Sequence, residues 1–254
     1  MMTRKPLALF AVAALLLTLW GCAATGPDVS KKTRARIELA NSHLQNNQPR
    51  RSLQELLPLK DSADDIPEYH LMLGMTYLQL EGKTHKAIEE LKQTTELAPE
   101  LGMAWNNLGR AYIAADRLDK AEKALKKALS IETYLTPEYA AYNLSRLYRE
   151  QKRLQQAIEH ADKALRENWR YLPAYFLLAQ LHTKQGTPEE AEKTLQRGVE
   201  AFPDNQRLWL QYGKLQLRLG KQDQAAQSFQ RVLDIAPDSE PAQVARDYLD
   251  LRNP

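Results

Sequence analysis

The chain has 254 residues, with 35 Lys and Arg, 32 Asp and Glu and five His, for a formal net charge of +3. That near balance excludes the concentrated basic face that a nucleic-acid binder needs. The single cysteine, Cys22, excludes any disulfide within the chain, so the fold must hold without one.

Arg4 and Lys5 make a basic start, and residues 7–19 follow as 13 residues that are apolar except for one Thr. A membrane-spanning helix needs about 20 apolar residues. This run has instead the length of the hydrophobic part of a secretory signal. It ends at Leu19-Trp20-Gly21-Cys22, which resembles the bacterial lipobox: Leu three places before the Cys and a small residue beside it. Trp20 departs from the small residue usual at its place. The resemblance implies that residues 1–21 are a lipoprotein signal peptide, cut before an acylated Cys22. An ordinary signal peptide with an incidental cysteine, or an uncleaved anchor, is the alternative. One acyl chain binds a membrane only marginally, at about 0.8 kcal/mol per buried methylene, so stable retention requires several, palmitate among them. Ala23 stands where an Asp would signal inner-membrane retention, which points to the outer membrane, facing the periplasm. Residues 22–32 are mostly small, polar and turn-forming and read as a lipidated flexible tether.

From residue 33 onward, good helix formers dominate. Small residues recur at Ala40, Gly74, Gly109, Ser145, Ala179 and Gly213, in steps of 34, 35, 36, 34 and 34. A second series runs through Ala87, Ala121, Ala157, Ala191 and Ala225, with Ser52 as a degenerate first member. Small residues let paired helices approach, while Leu, Tyr and Phe beside them fill the gap. Pro99, Pro203 and Pro237 stop second helices, since proline cannot continue one. Trp105-Asn106-Asn107-Leu108-Gly109, followed by Ala121, Leu125 and Ala128, resembles the tetratricopeptide repeat, a helix-turn-helix unit of 34 residues. Trp209 to Gly213, followed by Ala225, Phe229 and Pro237, does the same. The resemblance implies an all-α, right-handed superhelical solenoid of six repeats, at 33–66, 67–101, 102–137, 138–171, 172–205 and 206–239. Residues 240–254 are then a capping helix and tail, covering the apolar end that a solenoid otherwise exposes. The first repeat is the weakest match.

The sequence carries no catalytic constellation. None of His43, His70, His85, His160 and His182 belongs to an H-E-x-x-H zinc pair. There is no G-x-S-x-G elbow and no Walker loop. His160 reads as a solvated residue on a second helix. Lys120, Lys123, Lys126 and Lys127 read as a solvated outer face. These absences predict a binding protein, not an enzyme, with no cofactor, no metal, no small-molecule substrate and no nucleic acid.

In such repeats the first helices line the concave face. Carrying that register over puts Met75, Met103, Asn106, Arg110, Tyr139, Tyr142, Arg146, Phe176, Lys184, Leu210 and Lys214 in a groove. Apolar and aromatic residues rimmed by arginine are the usual makeup of a binding hot spot. The partner expected is a protein segment, extended or helical, with apolar anchors and acidic residues. The alternative is that Tyr139, Tyr142 and Phe176 pack between helices. Asn106-Asn107 weakly suggests a clamp for a C-terminal carboxylate.

The join between the third and fourth repeats is longer than the others. It reads from Ile131 through Tyr134 and Pro137 to Asn143-Leu144. With the lipobox, the short tether and the six repeats, it resembles the type IV pilus pilotins. That resemblance implies a lipid-anchored scaffold that binds subunits of an outer-membrane secretin and promotes their localisation and assembly into a multimer. The alternative is a repeat lipoprotein of another envelope machine, such as polysaccharide export or outer-membrane protein assembly.

Overall fold

The structure, a computed structural model, describes residues 30–250. The expected signal peptide, Cys22, the tether up to residue 29 and the tail at 251–254 lie outside the described residues. Helices α1 (Lys31–Gln45) and α2 (Pro49–Leu56) make the first pair, followed by a short α3 (Lys60–Ala63). Five further pairs follow: α4 (Pro67–Leu78) with α5 (Thr84–Leu97), α6 (Gly102–Ala114) with α7 (Leu118–Leu129), α8 (Pro137–Glu150) with α9 (Leu154–Glu167), α10 (Leu172–Gln185) with α11 (Pro188–Ala201), and α12 (Gln206–Arg218) with α13 (Gln222–Ile235). A last helix, α14 (Glu240–Asp250), packs on α12 and α13 as the cap. Among the described residues there is no strand, and no helix is long and apolar enough to cross a membrane.

Local chemistry sets the boundaries. Ser30 caps α1, its hydroxyl accepting from the Thr33 N–H at 3.1 Å. The first helix therefore takes Lys31 and Lys32 from the segment read as tether. Pro67, Pro137 and Pro188 open α4, α8 and α11, where the missing N–H costs nothing. The first repeat is irregular for the opposite reason. Pro58 cannot supply the N–H that would extend α2, so that helix stops at 8 residues and the chain passes through a 3-10 turn at Leu57–Leu59.

Each turn between paired helices contains one residue in the left-handed region: Asn47, Gly82, Asp116, Lys152, Gly186 and Gly220. Asn, Asp and Gly tolerate that conformation. Lys152, at φ 60°, does not.

The small-residue series marks the closest contacts. A Cβ added at Gly74 would lie 2.5 Å from Leu91 Cγ, and one at Gly109 would lie 2.5 Å from Leu125 Cγ. At Gly213 it would lie 2.7 Å from Phe229 Cε1. The buried leucines of this seam, each contributing about 1.5–3 kcal/mol, can enter only because the facing residue lacks a side chain. Ser145 departs from the series, and the position facing it in register is Ala161, which leaves room. Its hydroxyl then donates to the Ala157 carbonyl at 2.7 Å.

Neighbouring repeats are joined by a device that recurs in register. Four residues before the small residue, a ring N–H or O–H reaches back to a carbonyl in the preceding turn. His70 Nε2 contacts the Asp64 carbonyl, and Trp105 Nε1, Tyr175 Oη and Trp209 Nε1 donate to the Pro99, Trp169 and Pro203 carbonyls, each at 2.8 Å. These bonds occupy carbonyls near helix C-termini that have no partner within the helix. In the fourth repeat the position is Ala141. There the longer join takes over, folding Tyr134 onto Gly102, where a Cβ would lie 2.5 Å from the ring.

Ion pairs reinforce two joints. Arg153, just before α9, pairs with Glu122 on α7 at 2.9 Å, and Lys221, just before α13, pairs with Glu192 on α11. Burial alone would raise the Glu122 pKa, but hydrogen bonds from Lys126, Tyr148 and Arg153 outweigh it and hold the group down at about 2. Lys126 is thus engaged with Glu122 at 2.7 Å while still reaching solvent.

Candidate functional site

The wall of interest comes from the first helices. They contact one another along α1–α4, α4–α6 and α6–α8, and α12 touches α14. Two concavities adjoin on the C-terminal half. One, of about 420 Å³, is lined by Phe176, Gln180, Thr183 and Lys184 of α10 with Gln211, Leu215 and Arg218 of α12. The other, of about 490 Å³, is lined by Phe176, Arg207, Leu210 and Lys214 with Glu240, Pro241 and Val244 of the cap. Phe176 and Gln211 belong to both. The floor is apolar, and the rim carries Lys184, Arg207, Lys214 and Arg218 against the single acid Glu240. Of the residues expected from sequence, Phe176, Lys184, Leu210 and Lys214 therefore stand together.

A second group lies on the third and fourth repeats. Tyr139 and Tyr142 of α8 both meet Tyr171 edge-on, with ring centroids 5.1 and 5.3 Å apart. Tyr139 is 44% exposed, whereas Tyr142 and Phe176 are half-buried against the core. These rings thus pack inward and present a face outward. Arg110 and Arg146 occupy equivalent places, each one residue after the small residue of its helix, and both are exposed. The part of the Arg110 side chain that lies against the wall loses water, which lowers its pKa, and the charge of Arg146 lowers it further. Burial also raises the pKa of Tyr134 and Tyr171, so both keep their hydroxyl protons.

The remaining expected residues are placed differently. Met103 is 40% exposed at the start of α6. Met75 is half-buried against the core. Asn106 is not a groove contact. It is buried, and its Oδ1 accepts from Asn143 Nδ2 at 2.9 Å. Asn107 is equally occupied, donating to the Met103 carbonyl and accepting from Arg110 Nη1, each at 2.9 Å. Both amide oxygens and the Asn107 Nδ2 group thus have partners inside the wall.

The structure adds residues that the register did not reach. Tyr171 and Tyr134 sit in joins between repeats, and Val244 belongs to the cap, so no first-helix pattern includes them. His160 also differs from its solvated reading. Its ring lies 5.2 Å from that of Tyr148, its Nδ1 is buried without a hydrogen-bond partner, and burial lowers its pKa. Among the described residues, no group of three or more His, Cys, Asp or Glu is placed to hold a metal.

Comparisons with known proteins agree on the repeat. Four sequence profiles, each described as tetratricopeptide repeat, match residues 67–101, 100–166, 148–209 and 208–239. The fold is similar to the crystal structure of PilW, described as a widely conserved type IV pilus biogenesis factor. That match has a TM-score of 0.70 at 20% identity, over 85% of this chain and 98% of the other. It is also similar to PilF of Pseudomonas aeruginosa, with a TM-score of 0.68 at 20% identity, over 85% and 97% of the two chains. Protein CTR9 homolog of Arabidopsis thaliana is 23% identical over 180 residues, which are 68% of this chain and 16% of that protein. The chain spans less than half the length of the curated relatives it matches. At these identities the likeness is one of fold. The matched repeats run without a break from residue 67 to 239, and the chain is a tetratricopeptide-repeat protein.

Proposed function

We propose that the protein is a lipid-anchored scaffold for type IV pilus biogenesis, which binds secretin subunits and promotes their outer-membrane localisation and assembly into a multimer. The observation that carries the binding role is the pair of adjoining concavities around Phe176, with an apolar floor and a rim of Lys184, Arg207, Lys214 and Arg218. A concave apolar surface ringed with cations suits a protein segment with apolar anchors and acidic flanks. Such repeats are typically interaction scaffolds and not catalysts. The likeness in fold to PilW and PilF, over nearly the whole of each, supports the pilus setting.

Cys22 supplies the membrane address in this reading. Lipidation there places the solenoid at the outer membrane, facing the periplasm. The scaffold then acts by concentrating subunits at one surface, with no bond chemistry. The test is the amount of heat-resistant secretin multimer in outer membranes, with and without this protein. Loss of multimer with accumulation of monomer is expected. An unchanged multimer would sink the secretin assignment and leave a scaffold of another envelope machine, such as polysaccharide export or outer-membrane protein assembly.

A further inference from the structure

Two arginines occupy equivalent places on the neighbouring first helices of the third and fourth repeats. Arg110 and Arg146 follow Gly109 and Ser145, equivalent positions on neighbouring first helices that the Asn106–Asn143 bond ties together about one turn earlier. They are close enough for Arg146 to disfavour the charge on Arg110. Neither forms an ion pair among the described residues. Among the described residues, the Arg110 side chain donates only to the neutral Asn107 amide, and the Arg146 side chain makes no hydrogen bond. Glu138, which lies near Tyr134 and Tyr171, accepts from Asn168 Nδ2 at 2.9 Å and forms no ion pair with either arginine. Protein surfaces do not gain stability from like charges held together. An anion between the two would relieve the repulsion and accept charge-assisted hydrogen bonds from both. Beside them lie the three rings of Tyr139, Tyr142 and Tyr171, whose outward faces suit an apolar residue.

We propose that Arg110 and Arg146 form a carboxylate subsite, which receives the acidic side chain of a bound protein segment while Tyr139, Tyr142 and Tyr171 seat the apolar residue next to it. The proposal rests on reading the concave wall as the partner-binding face. It adds a selective element that is separate from the concavities around Phe176.

The test uses the full-length chain in detergent and two synthetic peptides with acetylated and amidated ends. In one, Phe and Leu alternate with Glu; in the other, Gln replaces each Glu. Titration calorimetry is expected to show the Glu peptide binding roughly tenfold or more tightly, as charge-assisted bonds to two arginines imply. Arg146→Gln and Arg110→Gln should each erase most of that preference, and Arg146→Lys should lose more than half of it because the planar fork is gone. Arg146→Gln should also leave the melting temperature of the ligand-free protein unchanged or raised, since it removes a repulsion. Equal binding of the two peptides, a preference that survives Arg146→Gln, or a fall in melting temperature on that substitution would each overturn the subsite. So would inorganic phosphate competing as strongly as the Glu peptide, which would make the pair a general anion site. The secretin-multimer assay separates the two ideas. A normal multimer in the Arg110→Gln, Arg146→Gln double variant, with no Glu preference in the wild-type chain, refutes this subsite alone. A Glu preference with a multimer that never depended on the protein refutes only the secretin reading.

Discussion

Asn143 donates from Nδ2 to Asn106 Oδ1 at 2.9 Å, and this buried bond sets the spacing of α6 and α8 just before the arginines they present to the groove. Asn143→Ala leaves the Asn106 amide buried with an unmet acceptor, which costs about 1–3 kcal/mol. Urea denaturation should show that loss. Asn143→Ala combined with Asn106→Leu should recover part of it, because no polar group is then stranded. A double variant no more stable than the single would show that the bond was not the source.

Gly109→Ala should destabilise the protein by about 1–3 kcal/mol, the usual cost of overpacking a tight core. The added Cβ would lie 2.5 Å from Leu125 Cγ, on a fully buried side chain with nowhere to retreat. Adding Leu125→Ala should cancel much of the Gly109→Ala penalty, at the expense of the usual loss for deleting a buried leucine. A thermal melt of the two single variants and the double variant measures the coupling.

His70 should make stability depend on pH in one direction. Burial by itself would lower its pKa, but the hydrogen bond to Glu90 and the Asp64 carbonyl at the other nitrogen raise it above the ordinary 6.5. A His whose folded pKa is raised contributes stability fully below 6.5, and that stability is lost as pH rises through the folded value. The urea midpoint of the wild-type chain should therefore decline across that window relative to His70→Gln. His160 has the opposite sign. Its lowered pKa contributes stability above 6.5 that is lost as pH falls through the folded value.

Lys152→Gly should raise stability, by up to about 1 kcal/mol, although glycine in place of another residue usually lowers it. Lys152 has φ 60° in the turn between α8 and α9, the conformation that Gly82, Gly186 and Gly220 adopt in the equivalent turns. Denaturation midpoints of Lys152→Gly and Lys152→Ala distinguish relief of strain from loss of the side chain. The Ala variant keeps the strain and should gain nothing.

Cys22→Ala should leave helical content and melting temperature unchanged while releasing the protein from the membrane fraction. Circular dichroism and fractionation check the two halves. If the variant stays in the membrane pellet, residues 7–19 act as an uncleaved anchor and the lipid is not the address.

The repeat was legible from residue spacing because it rests on a short-range rule. A small residue every 34 to 36 positions is what two packed helices require, so Gly74, Gly109 and Gly213 announced their contacts before any coordinates. The groove was legible only in part. Register says which residues of a first helix face the wall, and it brought Phe176, Lys184, Leu210 and Lys214 together. It could not say that Asn106 Oδ1 would accept from Asn143, or that Asn107 would bond to Met103 and Arg110.

Sequence alone determined the class of fold and the small residues where paired helices touch, since these follow from local periodicity and from what proline and glycine permit. Only the tertiary structure decided which polar groups were free. His160 reads as a surface residue along its helix and stands half-buried on Tyr148, and Tyr171 lies outside every first-helix pattern yet joins Tyr139 and Tyr142. Whether a polar group faces water or a partner depends on residues of other helices, and that distance is closed only when the helices pack.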